Sequence, residues 1–235
     1  MAYKWIFFDC METLIDLTEL PGLRDYAMWA YEGSGVENIW KDFNEFFSVY
    51  LSVREKIQNG LPENKEYGMY ERFEAITSVS NPSFTEKQLQ KISLMLYRNY
   101  WNNYKKRSYV KEDVNEVLPR LYERFKLAVV SNFMVQGGIE ELLKLNGISR
   151  YFEFVVTSIN EGWRKPEEKI YTAALNKACI TPGNIIFAGD DYINDYVTPA
   201  RIGMNTILLD RYKKHEDLDS RVMNFYELES KLELL

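Results

Sequence analysis

Histidine is almost missing from this 235-residue chain: the only one, His215, sits in the polar stretch Lys213-Lys214-His215-Glu216-Asp217. That scarcity argues against imidazole triads, histidine general bases and zinc sites built on histidine, and a lone histidine among lysines reads as a surface residue. Cysteine is nearly as rare. Cys10 and Cys179 show no paired spacing, so neither a disulfide framework nor a thiolate zinc site is indicated. No apolar run approaches the length of about 20 residues that crosses a bilayer, and the N-terminus lacks the basic, apolar, then small pattern of a signal peptide. Positive charge is in the minority as well, with 29 Lys and Arg against 35 Asp and Glu for a net charge of −6. A nucleic-acid surface needs clustered Lys and Arg, and Lys105-Lys106-Arg107 is too short a run, reading instead as a solvated helix end. The expectation is a cytoplasmic protein with no nucleic-acid and no membrane partner; oligomeric state is not legible.

What is present fits a globular chain long enough for one large domain, or for a core plus a smaller insert, with 46% hydrophobic and 27% charged residues. Two textures alternate. Residues 3–9, containing Trp5-Ile6-Phe7-Phe8, read as a buried strand. From 16 to 107 the apolar spacing is helical, as in Ile39, Trp40, Phe43, Phe46, Phe47 and Tyr50, and again in Leu89, Ile92, Leu96 and Tyr100. Pro62 and Asn81-Pro82 mark breaks, and Thr85 with Gln88 three residues later forms a helix-start signal. After 108 the rhythm becomes strand and helix in turn. Strands are expected at Leu127–Val130, Phe154–Thr157, Ile185–Ala188 and Thr206–Leu209, and helices at Val114–Arg124, Ile139–Leu145, Lys169–Ala178, Ile193–Ile202 and Tyr226–Leu235. This is the pattern of a Rossmann-like, doubly wound parallel α/β sheet. The core is expected at 1–15 and 108–235, with an α-helical cap domain inserted at 16–107.

Polar residues of complementary type stand at four points along this core. Asp9 and Thr13 follow the first strand, Ser131 and Asn132 the second, Lys165-Pro166 lies beyond the third, and Gly189-Asp190-Asp191 with Asn194-Asp195 follows the fourth. Taken singly, each has a plain structural reading as a turn, a helix cap or a helix-opening loop. Taken together on parallel strands, their carboxyl ends converge on one crevice, where several carboxylates, a lysine and hydroxyl donors suit a hard divalent cation and a phosphate.

With those segments in order, the chain resembles the haloacid dehalogenase superfamily, whose members are mostly magnesium-dependent phosphatases, with the helical cap of its first cap class. The pattern Asp-x-Asp-x-Thr is met at Asp9 and Thr13, the strand-closing Ser/Thr at Ser131, the conserved lysine at Lys165, and the acidic fourth motif at Gly189 to Asp195. The resemblance implies that Asp9 attacks phosphorus and forms an aspartyl-phosphate. It implies a Mg2+ ion held by Asp9, the main-chain carbonyl of Met11 and Asp190, with Asp191 or Asp195 completing or orienting the shell. Ser131 and Lys165 would bind the phosphoryl group, Asn132 would support substrate or loop geometry, and the cap would close over the site and select a small phosphorylated metabolite.

Met11 departs from the pattern, because the family's phosphatases carry there the acid that protonates the leaving group and later activates water. Such help is worth about 10²–10⁴-fold, so slow or leaving-group-restricted turnover is expected. Glu12 stands where the family usually has Gly, and on an extended chain it would point away from the direction Met11 takes. Relatives lacking the second acid are the 2-haloacid dehalogenases and the phosphonoacetaldehyde hydrolases, for which Lys41, Lys56 or Lys65 could supply a cap amine. A catalytically weak, phosphate-binding regulatory protein is the remaining alternative.

Overall fold

The computed structural model describes residues 4–234; Tyr3 and Leu235, at the ends of two expected elements, lie outside them. The chain forms two compact units, residues 1–16 with 109–235, and residues 17–108. In the first unit the strands are β1 (Trp5–Phe8), β4 (Lys126–Ser131), β5 (Phe152–Thr157), β6 (Ile185–Gly189), β7 (Asn205–Leu209) and β8 (Arg221–Val222). The two-residue strands β2 (Asp16–Leu17) and β3 (Ser108–Tyr109) pair where the chain passes from one unit to the other. Helices α1 (Leu23–Tyr31), α2 (Phe43–Gly60), α3 (Met69–Ser80) and α4 (Glu86–Arg107) make up the second unit. Helices α5 (Glu112–Arg124), α6 (Gly138–Leu145), α7 (Ser158–Glu161), α8 (Glu168–Ala178), α9 (Thr198–Ile202) and α10 (Phe225–Glu233) belong to the first.

The six-stranded sheet has the order β5-β4-β1-β6-β7-β8, and every pairing in it is parallel. Parallel strands with helices on both faces are buried on both sides, which is why β1, β4 and β6 read as unbroken apolar runs. Trp5, Phe7, Ala128, Val130, Val156 and Phe187 share one face with Ile170, Tyr171 and Ala174 of α8. On the other face Phe8 stacks on Phe225 of α10, with ring centroids 5.7 Å apart. From β1 the chain steps outward through β4 and β5, then returns to place β6 on the opposite side of β1. The reversal puts a crevice at the carboxyl ends of β4, β1 and β6, where open α/β sheets bind ligands.

The second unit is packed through its aromatic rings. Trp40 meets Phe46 edge-on at 4.8 Å, Trp29 meets Tyr104 at 5.9 Å, and Phe73 lies 5.9 Å from Tyr100. Inside it the guanidinium of Arg72, 4% exposed, donates to the phenol oxygens of Tyr50 and Tyr67. The start signal at Thr85 is realised as a reciprocal cap: the Gln88 N–H donates to Thr85 Oγ1, and the Thr85 N–H donates to Gln88 Oε1.

Several expected elements are corrected. The helix expected over Ile193–Ile202 is split into a wide, π-type turn at Tyr192–Val197 and the short helix α9. Asp191 caps the wide turn, and Pro199 opens the helix after it. β8 escapes the strand signal because only two residues of a polar stretch pair with β7. β5 begins two residues earlier than expected, at a register shift against Leu127 and Ala128.

Phe7 lies fully buried at the middle of β1, with ring contacts to Trp5 and Phe154 at 5.9 Å. Phe7→Ala is expected to lower the stability of the sheet unit by about 3–5 kcal/mol, read from urea unfolding followed by circular dichroism. Tyr226→Ala, at a 43% exposed position, is expected to change it by about 0.5 kcal/mol or less.

Candidate active site

Register sets the site. Phe8 pairs with Val129 on one side and Ala188 on the other, so Asp9, one residue on, and Ser131 and Asp190, two residues on, emerge at the same edge of the sheet. The Asp9 N–H donates to the Ala188 carbonyl at 3.0 Å, which carries the β1–β6 ladder one step into the site. Carboxylate oxygens of Asp9, Asp190 and Asp195 lie within 4.8 Å of one another. Thr13 donates its hydroxyl to Asp190 Oδ1 at 3.2 Å, and Ser131 is buried at the end of β4.

Lys165 enters this group from the segment between α7 and α8. Its ammonium, 3% exposed, donates to Asp9 Oδ1 at 2.7 Å, Asp195 Oδ1 at 2.6 Å and the Val130 carbonyl at 3.0 Å. All three of its donors are used. Burial alone would lower its pKa, but the Asp195 and Asp9 carboxylates outweigh it and raise the value, keeping the ammonium charged. For Asp190 and Asp195 the balance runs the other way. Burial, then Asp9, Asp195 and Glu12, push Asp190 up to about 8. Burial pushes Asp195 up to about 7 against the pull of Lys165. Three carboxylates against one ammonium leave two uncompensated negative charges when all are ionised. That oxygen-rich deficit fits a hard divalent cation of the Mg2+ type.

The acidic motif depends on a glycine. A Cβ at Gly189 would overlap the Asp195 carboxylate, so the last residue of β6 must lack one. Asp195 Oδ2 also accepts the Asp191 N–H at 3.0 Å. Asp191, expected as a metal ligand alongside Asp195, is exposed and stands outside the cluster; its Oδ1 accepts the N–H groups of Ile193 and Asn194 at 3.0 and 2.8 Å. Asn132, expected to support substrate or loop geometry, turns its amide to the Lys165 main chain.

Glu12 is not on extended chain. Its φ of +62° puts it in the left-handed region, inside a tight turn that the Leu14 and Ile15 N–H groups close by donating to the Cys10 carbonyl. That region favours glycine, which accounts for the residue type the resemblance led one to expect there. The turn brings Glu12 to a cavity of about 190 Å³ beside Asp190, also lined by Asp16, Tyr192 and Lys214. Burial and the charges of Asp16 and Asp9 raise its pKa. His215, expected on the surface, lines the same cavity half-buried, stacked on Tyr192 with centroids 4.4 Å apart. Neither placement is readable from a local pattern. Nor is Tyr171, a fully buried ring whose hydroxyl donates to the Asn194 carbonyl just before Asp195.

A doubly wound parallel sheet that gathers acids, hydroxyls and a buried lysine at its carboxyl edge defines an α/β enzyme. A family model for haloacid dehalogenase-like hydrolases matches residues 44–209, more than half of the chain, and the chain belongs to that family. The haloacid dehalogenase-like hydrolase domain-containing protein 3 of Xenopus laevis is 40% identical over 84 residues, which cover 36% of this chain and 34% of that relative. The chain is thus matched to about a third of that relative's length. A glyceraldehyde 3-phosphate phosphatase of Pyrococcus abyssi is 26% identical over 212 residues, covering 87% of this chain and 80% of its own. Among solved structures, a 2-haloacid dehalogenase from Pseudomonas syringae pv. Tomato DC3000 superposes with a TM-score of 0.80 at 17% identity over 99% of each chain. A HAD phosphatase from Thermococcus onnurineus gives 0.67 at 19% identity over 97% of each. At those identities the structural likeness bears on the fold alone.

The raised carboxyl pKa values carry a sign for stability. A folded chain that holds the Asp190 proton more tightly than the unfolded chain is favoured at acidic pH, and that advantage is lost as pH rises toward about 8. Asp195, raised to about 7, acts in the same direction. In chelator, Asp190→Asn is therefore expected to melt above the parent protein near pH 8, with the difference closing toward about pH 4. Differential scanning calorimetry across that range checks it; a gap that widens on acidification would contradict the assignment.

Proposed function

We propose that this chain is a magnesium-dependent phosphatase of a small phosphorylated metabolite, working through an aspartyl-phosphate on Asp9. The observation that carries the reading is the placement of the Asp9 carboxylate in one oxygen cluster with Asp190 and Asp195, with the Lys165 ammonium 2.7 Å away. The family membership and the phosphatases among the relatives support it. Asp9, Asp190 and the Met11 carbonyl would hold Mg2+, with Asp195 or Asp191 behind them, and the ion would supply charge neutralisation between two anions. Asp9 adds an oxygen to phosphorus, and the bond to the leaving oxygen breaks with its electron pair on that oxygen. Water then cleaves the aspartyl-phosphate and restores the carboxylate. Lys165 holds Asp9 in place and offsets its charge, Ser131 donates to a phosphoryl oxygen, and Thr13 orients Asp190. The helical unit is assigned the part of a cap that selects the substrate, and the reading keeps the protein in the cytoplasm with both thiols free.

Met11 gives this chemistry its restriction. A thioether neither donates a proton to a departing alkoxide nor takes one from water, so leaving groups that depart unprotonated are favoured. Acyl and activated aryl phosphates are expected to turn over about 10²-fold or more faster than alkyl phosphates, measured as phosphate release with Mg2+. Equal rates would place a proton donor elsewhere in the site. Asp9→Asn should abolish turnover of both, and retained activity would remove Asp9 as nucleophile. The same missing acid favours a second reading, since halide leaves without a proton: chloride release from 2-chloropropionate in chelator would replace phosphatase with dehalogenase. Binding of beryllium fluoride without turnover of any phosphate would make the chain a phosphate-binding regulator.

A further inference from the structure

Asn132 follows the last residue of β4, yet its amide is spent on a residue 33 positions away. Its Nδ2 donates to the Lys165 carbonyl at 2.9 Å, and its Oδ1 accepts the Lys165 N–H at 2.7 Å. One side chain thus occupies both main-chain groups of one residue, as a neighbouring strand would. Lys165 lies in the irregular segment between α7 and α8, where no helix or sheet ladder fixes its backbone. At its far end the same residue is tied by the three ammonium hydrogen bonds to Asp9, Asp195 and Val130. A lysine side chain has many rotamers, and ordering one inside a protein costs about 1.5–2 kcal/mol before any charge is desolvated. Fixing the Cα position narrows the choices that still reach both carboxylates.

We propose that Asn132 is a positioning residue: it ties the Lys165 main chain to the end of β4, so that the ammonium arrives between Asp9 and Asp195, and it does not bind substrate. The amide keeps one Nδ2 hydrogen beyond this clamp, but its two backbone bonds hold the side chain toward residue 165. Its effect on turnover rests on the phosphatase reading above. The clamp itself does not.

Two readouts separate them. In the ¹H–¹⁵N spectrum of the full chain, a buried ammonium with three hydrogen bonds is shielded from exchange with water and is expected to give its own signal, assigned by its loss in Lys165→Met. Asn132→Ala is expected to shift or broaden that signal, while Ser131→Ala leaves it in place. Asn132→Asp, which is isosteric and keeps only the acceptor, is expected to do the same as Asn132→Ala and serves if the alanine variant does not fold. An unchanged ammonium signal in the folded variants overturns the clamp whether or not the protein turns over any phosphate. With p-nitrophenyl phosphate and Mg2+, Asn132→Ala is expected to lower kcat by about 10–10²-fold with little change in KM, and to cause no further loss in a Lys165→Met background. A raised KM at full kcat, or a full additional loss in that background, would make Asn132 a substrate contact and sink the proposal. If no variant and no wild-type protein turns over any phosphate, the phosphatase reading fails and the ammonium signal alone decides on Asn132.

Discussion

The buried ammonium of Lys165 is the interaction on which the site depends. It sits among acceptors from three strand ends: Asp9 after β1, the Val130 carbonyl of β4, and Asp195 beyond β6. A charge with 3% exposure is tolerable only while every donor is matched, and stranding a buried charge by removing a partner costs about 3–5 kcal/mol. The same geometry holds the carboxylates together against their mutual repulsion. Lys165 answers only part of the local negative charge, so the cluster keeps a net negative charge when all three carboxylates are ionised.

Much of this was legible in the sequence, for an identifiable reason. Strands buried on both faces become unbroken apolar runs, so Trp5–Phe8, Leu127–Val130 and Ile185–Ala188 announce themselves, and the first polar residue beyond each run marks the edge of the sheet. Asp9, Ser131 and Asp190 follow from that rule alone. Thr85 and Gln88 were readable because a helix cap is written within four residues. Lys165 is legible only as a lysine beyond the third strand, and its role comes from the family pattern, since nothing local in its segment aims a lysine at Asp9.

What stayed hidden depends on dihedral angles or on distant partners. Glu12 adopts a conformation that its residue type disfavours, so pattern reading put it on an extended chain. The wide turn at Tyr192–Val197 carries helical spacing and was read as the start of a regular helix; its register is set by the Asp191 cap and by the Tyr171 hydroxyl on the Asn194 carbonyl. His215 looks solvated in its charged neighbourhood, but the ring it stacks on is 23 positions earlier in the chain. The Asn132 clamp likewise reaches across 33 positions, and its sequence signal as a helix cap pointed elsewhere.

The order of the strands also has a consequence in time. β1 is made first and sits in the middle of the finished sheet, yet its two neighbours, β4 and β6, begin at residues 126 and 185. The whole helical unit emerges from the ribosome before either arrives. Until then Trp-Ile-Phe-Phe, an aromatic and β-prone run, has no native edge to pair with, which is the condition under which nascent chains associate wrongly. Asp9 and Lys165 are separated by 156 positions, so their ion pair forms only after most of the chain exists. In a chain arranged this way, Asp9 is synthesised long before the residues that hold it in place.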